Sequence, residues 1–203
     1  MNLDSVREVA EILQAEGLAP KKRWGQNFLV DRNVREAIVR VVSAGEGEVV
    51  WEVGPGLGAL TELLLDRGCA VVAFEIDYGL VSLLGRTFGS CAGLSVVAGD
   101  VTETWQERFA EGEIPAAVVG NLPYSQTAAI IASFVVSGLS TRQYVFMVQE
   151  EVADRMIARP ATREYSAFTV LVQARLPVSR RMRIQPDSFY PRPEVSSAHV
   201  ARG

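Results

Sequence analysis

At 203 residues and 48% hydrophobic side chains, the chain has the material for one compact α/β domain with a real core. Its net charge of −4 excludes a uniformly basic coat, but Lys and Arg crowd residues 21–40 and 155–192 around an acidic middle, so a basic face remains compatible with RNA or DNA. Two separated cysteines, Cys69 and Cys91, and a single histidine exclude a zinc cluster, no apolar run approaches the roughly 20 residues of a membrane span, and the first 20 residues lack a signal-peptide pattern; a cytoplasmic, metal-free protein with no membrane contact is the expectation.

Residues 4–16 carry Val6, Val9, Ile12 and Leu13 on one face, predicting an amphipathic helix with Asp4 or Ser5 as N-cap. A loop, PKKRWGQNFLVD, leads to a second predicted helix over 32–44. The rhythm then changes. Short β-branched or apolar runs at 48–54, 70–77, 94–100, 116–121 and 143–149 alternate with helical spacing. Near-continuous apolar strands separated by helices predict a parallel sheet covered on both faces, with ligands at the carboxyl ends of its strands. YSAFTVLVQARL fits a further helix; VSRRMRIQ and SSAHVARG read as two strands. The proline-rich PDSFYPRPEV between them is too short for a crossover helix, so these two should pair antiparallel.

Three features stand at strand ends. Gly54-Pro55-Gly56-Leu57-Gly58-Ala59 follows the first strand, where glycines let a ligand approach the main chain. Glu75 ends the second strand, placed to accept hydrogen bonds from ribose hydroxyls, and Asp100 ends the third, placed to accept from an exocyclic adenine amine. Each has a simpler role open to it: a tight turn for the glycines, a helix cap for either acid. The spacing also satisfies a dinucleotide fingerprint. A hydride-transfer enzyme needs an acid or base near its site, however, and the only lysines are Lys21 and Lys22, the only histidine His199 in the last strand. That shortage disfavours nicotinamide chemistry and Ser-His or Cys-His nucleophiles alike.

The fourth strand ends in Asn121-Leu122-Pro123-Tyr124, which alone could be only a capped helix start. Together with GQNFLVD (25–31), EVGPGLGALTE (52–62), FEID (74–77), GD (99–100) and FYPRPEVSSAHV (189–200), it resembles the ribosomal RNA adenine N6,N6-dimethyltransferases, a family that includes the bacterial small-subunit enzyme and the erythromycin-resistance methyltransferases. The opening and closing motifs look more like the small-subunit enzyme. The resemblance implies a Rossmann-like class I S-adenosylmethionine-dependent methyltransferase, with a mostly parallel seven-stranded sheet ending in an antiparallel hairpin. It implies one catalytic domain over 1–203, residues 1–44 included, acting as a monomer on 16S ribosomal RNA and dimethylating two adjacent adenosines near its 3′ end.

By the same resemblance, Asn27 and Leu29 close over the cofactor from the N-terminal loop, Gly54 approaches its methionine part, Glu75 binds the ribose and Asp100 the adenine. Asn121 touches both cofactor and target; Tyr124 stacks on the flipped adenine, with Phe189 on the ring's other side. The product would be S-adenosylhomocysteine, and no metal is called for. The chemistry suits these residue types. The lone pair of adenine N6 is delocalised, so the Asn121 side-chain oxygen and the Leu122 carbonyl would each take one N6–H and favour a pyramidal amine, Pro123 fixing the turn between them. Proximity then supplies most of the acceleration without a strong base.

Lys21, Lys22, Arg23, Arg180, Arg181 and Arg183 are candidate phosphate contacts, against the simpler reading of solvated charge. Relatives continue into a small helical domain after the last strand, so the resemblance implies that this domain is absent here and that ribosome engagement is weakened. Other readings are a 23S RNA methyltransferase of the resistance type, a DNA adenine methyltransferase, which usually has Pro where Leu122 stands, and a non-catalytic ribosome-assembly factor.

Overall fold

The computed structural model describes residues 2–139, 141–193 and 197–202. Helix α1 (Val6–Ala15) begins at Ser5, whose oxygen accepts from the Glu8 N–H while its hydroxyl donates to the Glu8 carboxylate. That reciprocal pair makes Ser5, rather than Asp4, the cap. A strap follows, comprising a 3-10 turn at Lys22–Trp24 and a short strand β1 (Phe28–Leu29), and leads into α2 (Arg32–Arg40) capped by Asp31. The second helix was expected to reach residue 44 and stops at Arg40. Beyond it the Arg67 guanidinium collects the Val39, Val42 and Ala44 carbonyls, and the Gln143 amide bonds both Val41 O and Ser43 N. Bonds to these partners replace further helical turns.

Strands β2 (Val49–Val53), β3 (Ala70–Glu75), β4 (Leu94–Ala98), β5 (Ala117–Asn121) and β6 (Gln143–Gln149) alternate with α3 (Thr61–Asp66), α4 (Tyr78–Phe88), α5 (Val101–Ala110) and α6 (Thr127–Ser137). Two helices, α7 (Glu150–Ile157) and α8 (Ala167–Gln173), precede β7 (Val178–Ile184), β8 (Phe189–Tyr190) and β9 (Ser197–Arg202). The main sheet has the order β4-β3-β2-β5-β6-β9-β7, its first five strands parallel and β9 antiparallel to both neighbours. The expected closing hairpin is therefore present, with β9 filling the gap between β6 and β7. Glu194–Ser196 of the closing motif, and Gly203, lie outside the described residues.

Three elements differ from expectation. Helix α7 starts on the residue after β6, so no loop signal separates them. β1 and β8 pair antiparallel outside the main sheet, matching Phe28 with Tyr190 and Leu29 with Phe189. Two residues are too few to show a period of 2, so both had read as loop.

Alternation along the central strands feeds two apolar layers. Trp51, Val53, Val72 and Phe74 face Trp105 and Phe134; Val50, Val71, Ala73 and Val119 face Ile38, Val39 and Leu64. The Trp51 and Phe74 rings meet edge to face at 5.4 Å. Burying each large side chain contributes roughly 1.5–3 kcal/mol, which holds the strand ends in place. A third cluster joins Leu3, Val9 and Leu13 to Phe28, Leu57, Leu80 and Leu83, laying the strap across those ends. Chain order reverses between β2 and β5, and at such a switch point a crevice opens at the carboxyl edge.

Candidate active site

The turn after β2 sits against the strap and against β5. Gly54 (φ +67°) donates its N–H to Phe74 O at 2.9 Å, and a Cβ built on it would lie 3.6 Å from Asn121 O. Gly56 (φ +60°) is tighter still: a Cβ there would stand 3.1 Å from the Phe28 ring. The left-handed torsion favours glycine at both positions, and at Gly56 the Phe28 ring also leaves little room for a side chain.

Three buried carboxylates organise the neighbouring strand ends. Glu75, 4% exposed, accepts from Gly56 N at 3.1 Å through one oxygen and from Asp77 N at 2.9 Å through the other. Burial raises its pKa, opposed by those N–H groups. Glu52, 1% exposed, accepts from the Thr61 hydroxyl at 2.6 Å. Burial pushes its carboxyl up to about 7, the Thr61 hydrogen bond opposing the rise and the Glu75 charge adding to it. Asp77 caps α4 through Gly79 N and also accepts from Lys21 Nζ at 2.8 Å and Gln26 Nε2 at 3.1 Å. Burial opposes, but these donors hold Asp77 below its ordinary value. This carboxylate is the latch that ties the strap to the sheet, and Lys21 is thereby committed to it rather than offered to a phosphate.

Asp100 caps α5, one oxygen accepting from both Thr102 N at 2.8 Å and Thr102 Oγ1 at 2.7 Å. The cap role weighed for it is thus real, and the residue still lines the cleft. On β5, Asn121 Nδ2 donates to Asn27 O at 2.6 Å. A carbonyl can only accept, so the bond fixes which way the amide faces and leaves Oδ1 as an acceptor on the other side. Leu122 buries its side chain, and its N–H donates to Met147 O at 3.1 Å. The Pro123 carbonyl is taken by α6, accepting from Gln126 N at 3.0 Å and Thr127 Oγ1 at 2.9 Å.

Asn27, Gly54, Glu75, Asp100, Asn121 and Pro123, together with Trp24, are walls of one cleft of about 630 Å³, whereas Glu52, Asp77 and Leu122 stand outside its lining. Leu29 stands elsewhere. It is buried against Phe189 and borders a smaller cavity of about 410 Å³ behind the cleft, beside Glu52. Tyr124 lines a separate groove of about 1020 Å³ that shares Gly25, Gln26 and Asn27 with the cleft. A Cβ on Gly25 would come 3.3 Å from Tyr124 N, so the strap rests on the tetrapeptide. Phe189 does not face Tyr124: at 1% exposure it packs in the core with Leu29 and Ile38, because alternation in β8 turns it inward and its neighbour Tyr190 outward into the groove.

The expected phosphate contacts fare unevenly. Arg180 pairs with Asp154 and Glu150 on α7, and Arg183 with Glu150 at 2.9 Å. Arg23 is exposed over the Trp24 ring at 4.3 Å. The side chains of Lys22 and Arg181 lie outside the described residues. Sequence reasoning missed the Asp77–Gln26 latch, Trp24 as a cleft wall, and Tyr190. Gln26, Asp77 and Tyr190 lay within quoted motifs, and only their partners in the fold give them these roles.

The family model described as "Ribosomal RNA adenine dimethylase" matches residues 17–201. Proteins named "Ribosomal RNA small subunit methyltransferase A" are similar over nearly the whole chain: 40% identity in Treponema denticola, covering 98% of this chain and 69% of that protein, and 34% in Borreliella burgdorferi, covering 97% and 69%. Among solved structures, a dimethyladenosine transferase from Plasmodium falciparum superposes with a TM-score of 0.75 at 26% identity, covering 86% of this chain and 62% of that one. The 23S rRNA methyltransferase ErmE gives 0.71 at 28%, covering 87% and 70%.

Proposed function

The chain belongs to the ribosomal RNA adenine dimethylase family, and from that premise we propose that it transfers methyl groups from S-adenosylmethionine to adenosine N6 in small-subunit (16S) ribosomal RNA, dimethylating two adjacent adenosines near the 3′ end. One observation carries the reading: the strand-end carboxylates Glu75 and Asp100, with Asn121 and Pro123, are walls of a single cleft.

The residues present fit the cofactor. Gly54 and Gly56 form a cradle that a Cβ would narrow, and Glu75, holding one backbone N–H on each oxygen, keeps further lone pairs for two ribose hydroxyls. Asp100 and the Val101 N–H receive the adenine edge. When bound, the cofactor supplies a methyl group activated on a sulfonium. Asn121 Oδ1, oriented by the bond from Nδ2 to Asn27 O, accepts one N6–H of the target; the Leu122 carbonyl accepts the second. Tyr124 stacks on the flipped ring, which gains roughly 1–3 kcal/mol against unstacking. No proton leaves until the nitrogen has been methylated, so no strong base is needed.

Every contact in this scheme comes from one chain, which suits a monomer. No described helix is long and apolar enough to cross a membrane, and a small-subunit substrate goes with the cytoplasm. The test is methyl transfer from labelled S-adenosylmethionine to unmethylated small subunits, large-subunit RNA and duplex DNA, followed by nucleoside analysis. N6,N6-dimethyladenosine in small-subunit RNA is the expected product. Label only in large-subunit RNA would move the assignment to the ErmE-like activity; label in none would overturn it.

A further inference from the structure

We infer that Tyr190 is the second aromatic wall of the target-nucleoside groove and positions the adenine opposite Tyr124. The inference rests on the proposed adenosine N6 chemistry and concerns which residue of the closing motif serves it. The register of β1 against β8 decides the matter. Leu29 pairs with Phe189 and both side chains are buried, whereas Phe28 pairs with Tyr190, whose half-buried ring emerges beside Pro191 and Arg192. The Val30 N–H donates to Ser188 O at 2.8 Å, extending the pairing by one residue and holding that register. Moving Phe189 into the groove would require slipping β8 by one position. Such a slip would expose a ring now 1% accessible and drive Tyr190 into the core.

The groove suits one flat, partly polar occupant. Tyr124 and Tyr190 are its aromatic walls, the Gln149 amide at the end of β6 is a donor and acceptor within it, and the strap residues Gly25–Asn27 line both it and the cofactor cleft, so the two spaces meet at the strap. An unstacked adenine held there borders Asn27, whose carbonyl accepts from the Asn121 amide on the cleft side, so its N6 edge turns toward Asn121 where the groove meets the cleft. Arg192 pairs at 3.2 Å with Asp187 where both are largely exposed, so the pair exchanges readily for a phosphate of the flanking nucleotide.

Three variants of the full chain test this: Tyr190→Leu, Tyr190→Phe and Phe189→Leu. Leucine at 190 keeps apolar contact with Phe28 and α1 but removes the flat ring, so it should fold. The readouts are the KM for unmethylated small-subunit RNA, kcat, the dissociation constant for S-adenosylmethionine and the melting temperature. Tyr190→Leu should raise KM for RNA about tenfold, within the range of a lost base–aromatic stack, with the cofactor constant unmoved. Tyr190→Phe should restore KM. Phe189→Leu should lower the melting temperature and leave KM where it was. An unchanged KM in Tyr190→Leu, or a raised KM in Phe189→Leu at unchanged melting temperature, overturns the assignment while leaving the enzymatic reading intact. Failure of the unaltered chain to methylate RNA overturns that reading and the assignment with it.

Discussion

Replacing Glu52 by Gln should make the ligand-free protein more stable at alkaline pH. The carboxyl is buried between β2 and α3 with the Thr61 hydroxyl as its close donor, and its pKa rises from 4.5 to about 7. A raised carboxylate pKa means that the fold favours the neutral form. Its contribution is fully present below pH 4.5 and is lost as pH climbs to about 7. Roughly 2.5 pH units at about 1.36 kcal/mol each give an upper figure of about 3 kcal/mol. Glutamine keeps the neutral shape and an oxygen for Thr61 but cannot ionise. Urea unfolding of both proteins at pH 5, 6.5 and 8 measures the difference, which should be small at pH 5 and grow toward that upper figure at pH 8. In melting temperature this is about 6–12 °C for a chain of this size. Parallel stability curves, or a variant less stable at pH 8, would show that folding does not raise the Glu52 pKa and that the burial argument fails.

Asn121→Ala removes both the N6 acceptor and the amide's bond to the strap, so initial rates should fall by about 100-fold or more, with a smaller loss of cofactor affinity; a variant dimethylating at the unaltered rate refutes the role. Tyr124→Phe should stay within about threefold in kcat/KM while Tyr124→Ala loses tenfold or more, because stacking uses the ring; equal losses would rule stacking out. Asp77→Asn should weaken S-adenosylmethionine binding several-fold in calorimetry by loosening the strap at Lys21 and Gln26, and unchanged affinity would mean that the latch is only structural. The lowered pKa of Asp77 stabilises the fold above about 3.8 and is lost as pH falls through its folded value, so the same variant should flatten the acid limb of the stability curve.

The parallel strands and the strand-end residues were legible because each rests on a repeated local signal. Five apolar runs, each within about two residues of the observed strand, predicted a parallel sheet with ligands at the carboxyl ends of its strands, and the cleft lies there. Residue types at the ends of β2, β3, β4 and β5, joined to the family resemblance, then pointed to the chemistry. What was not legible depends on partners distant in sequence. Residues 41–44 have helical composition, but Arg67 and Gln143 unwind them. Lys21, Arg180 and Arg183 look like free cations until Asp77, Glu150 and Asp154 are placed beside them. Phe189 and Tyr190 are adjacent aromatics, and only pairing with β1 decides which one is buried.

The strap links the two halves of the site physically. Gly25, Gln26 and Asn27 form part of the wall of both the proposed cofactor cleft and the proposed target groove; Gln26 is bonded to Asp77 on one side, and the Asn27 carbonyl holds the Asn121 amide on the other. Any ligand that orders the strap from one side therefore changes the free energy of ordering it from the other, and that coupling is reciprocal by linkage. The same amide that would position N6 is held by the segment that encloses the cofactor. Cofactor and RNA should thus bind with mutual enhancement in this protein, and the enhancement should vanish in Asp77→Asn, where the strap is no longer tied at its sheet end.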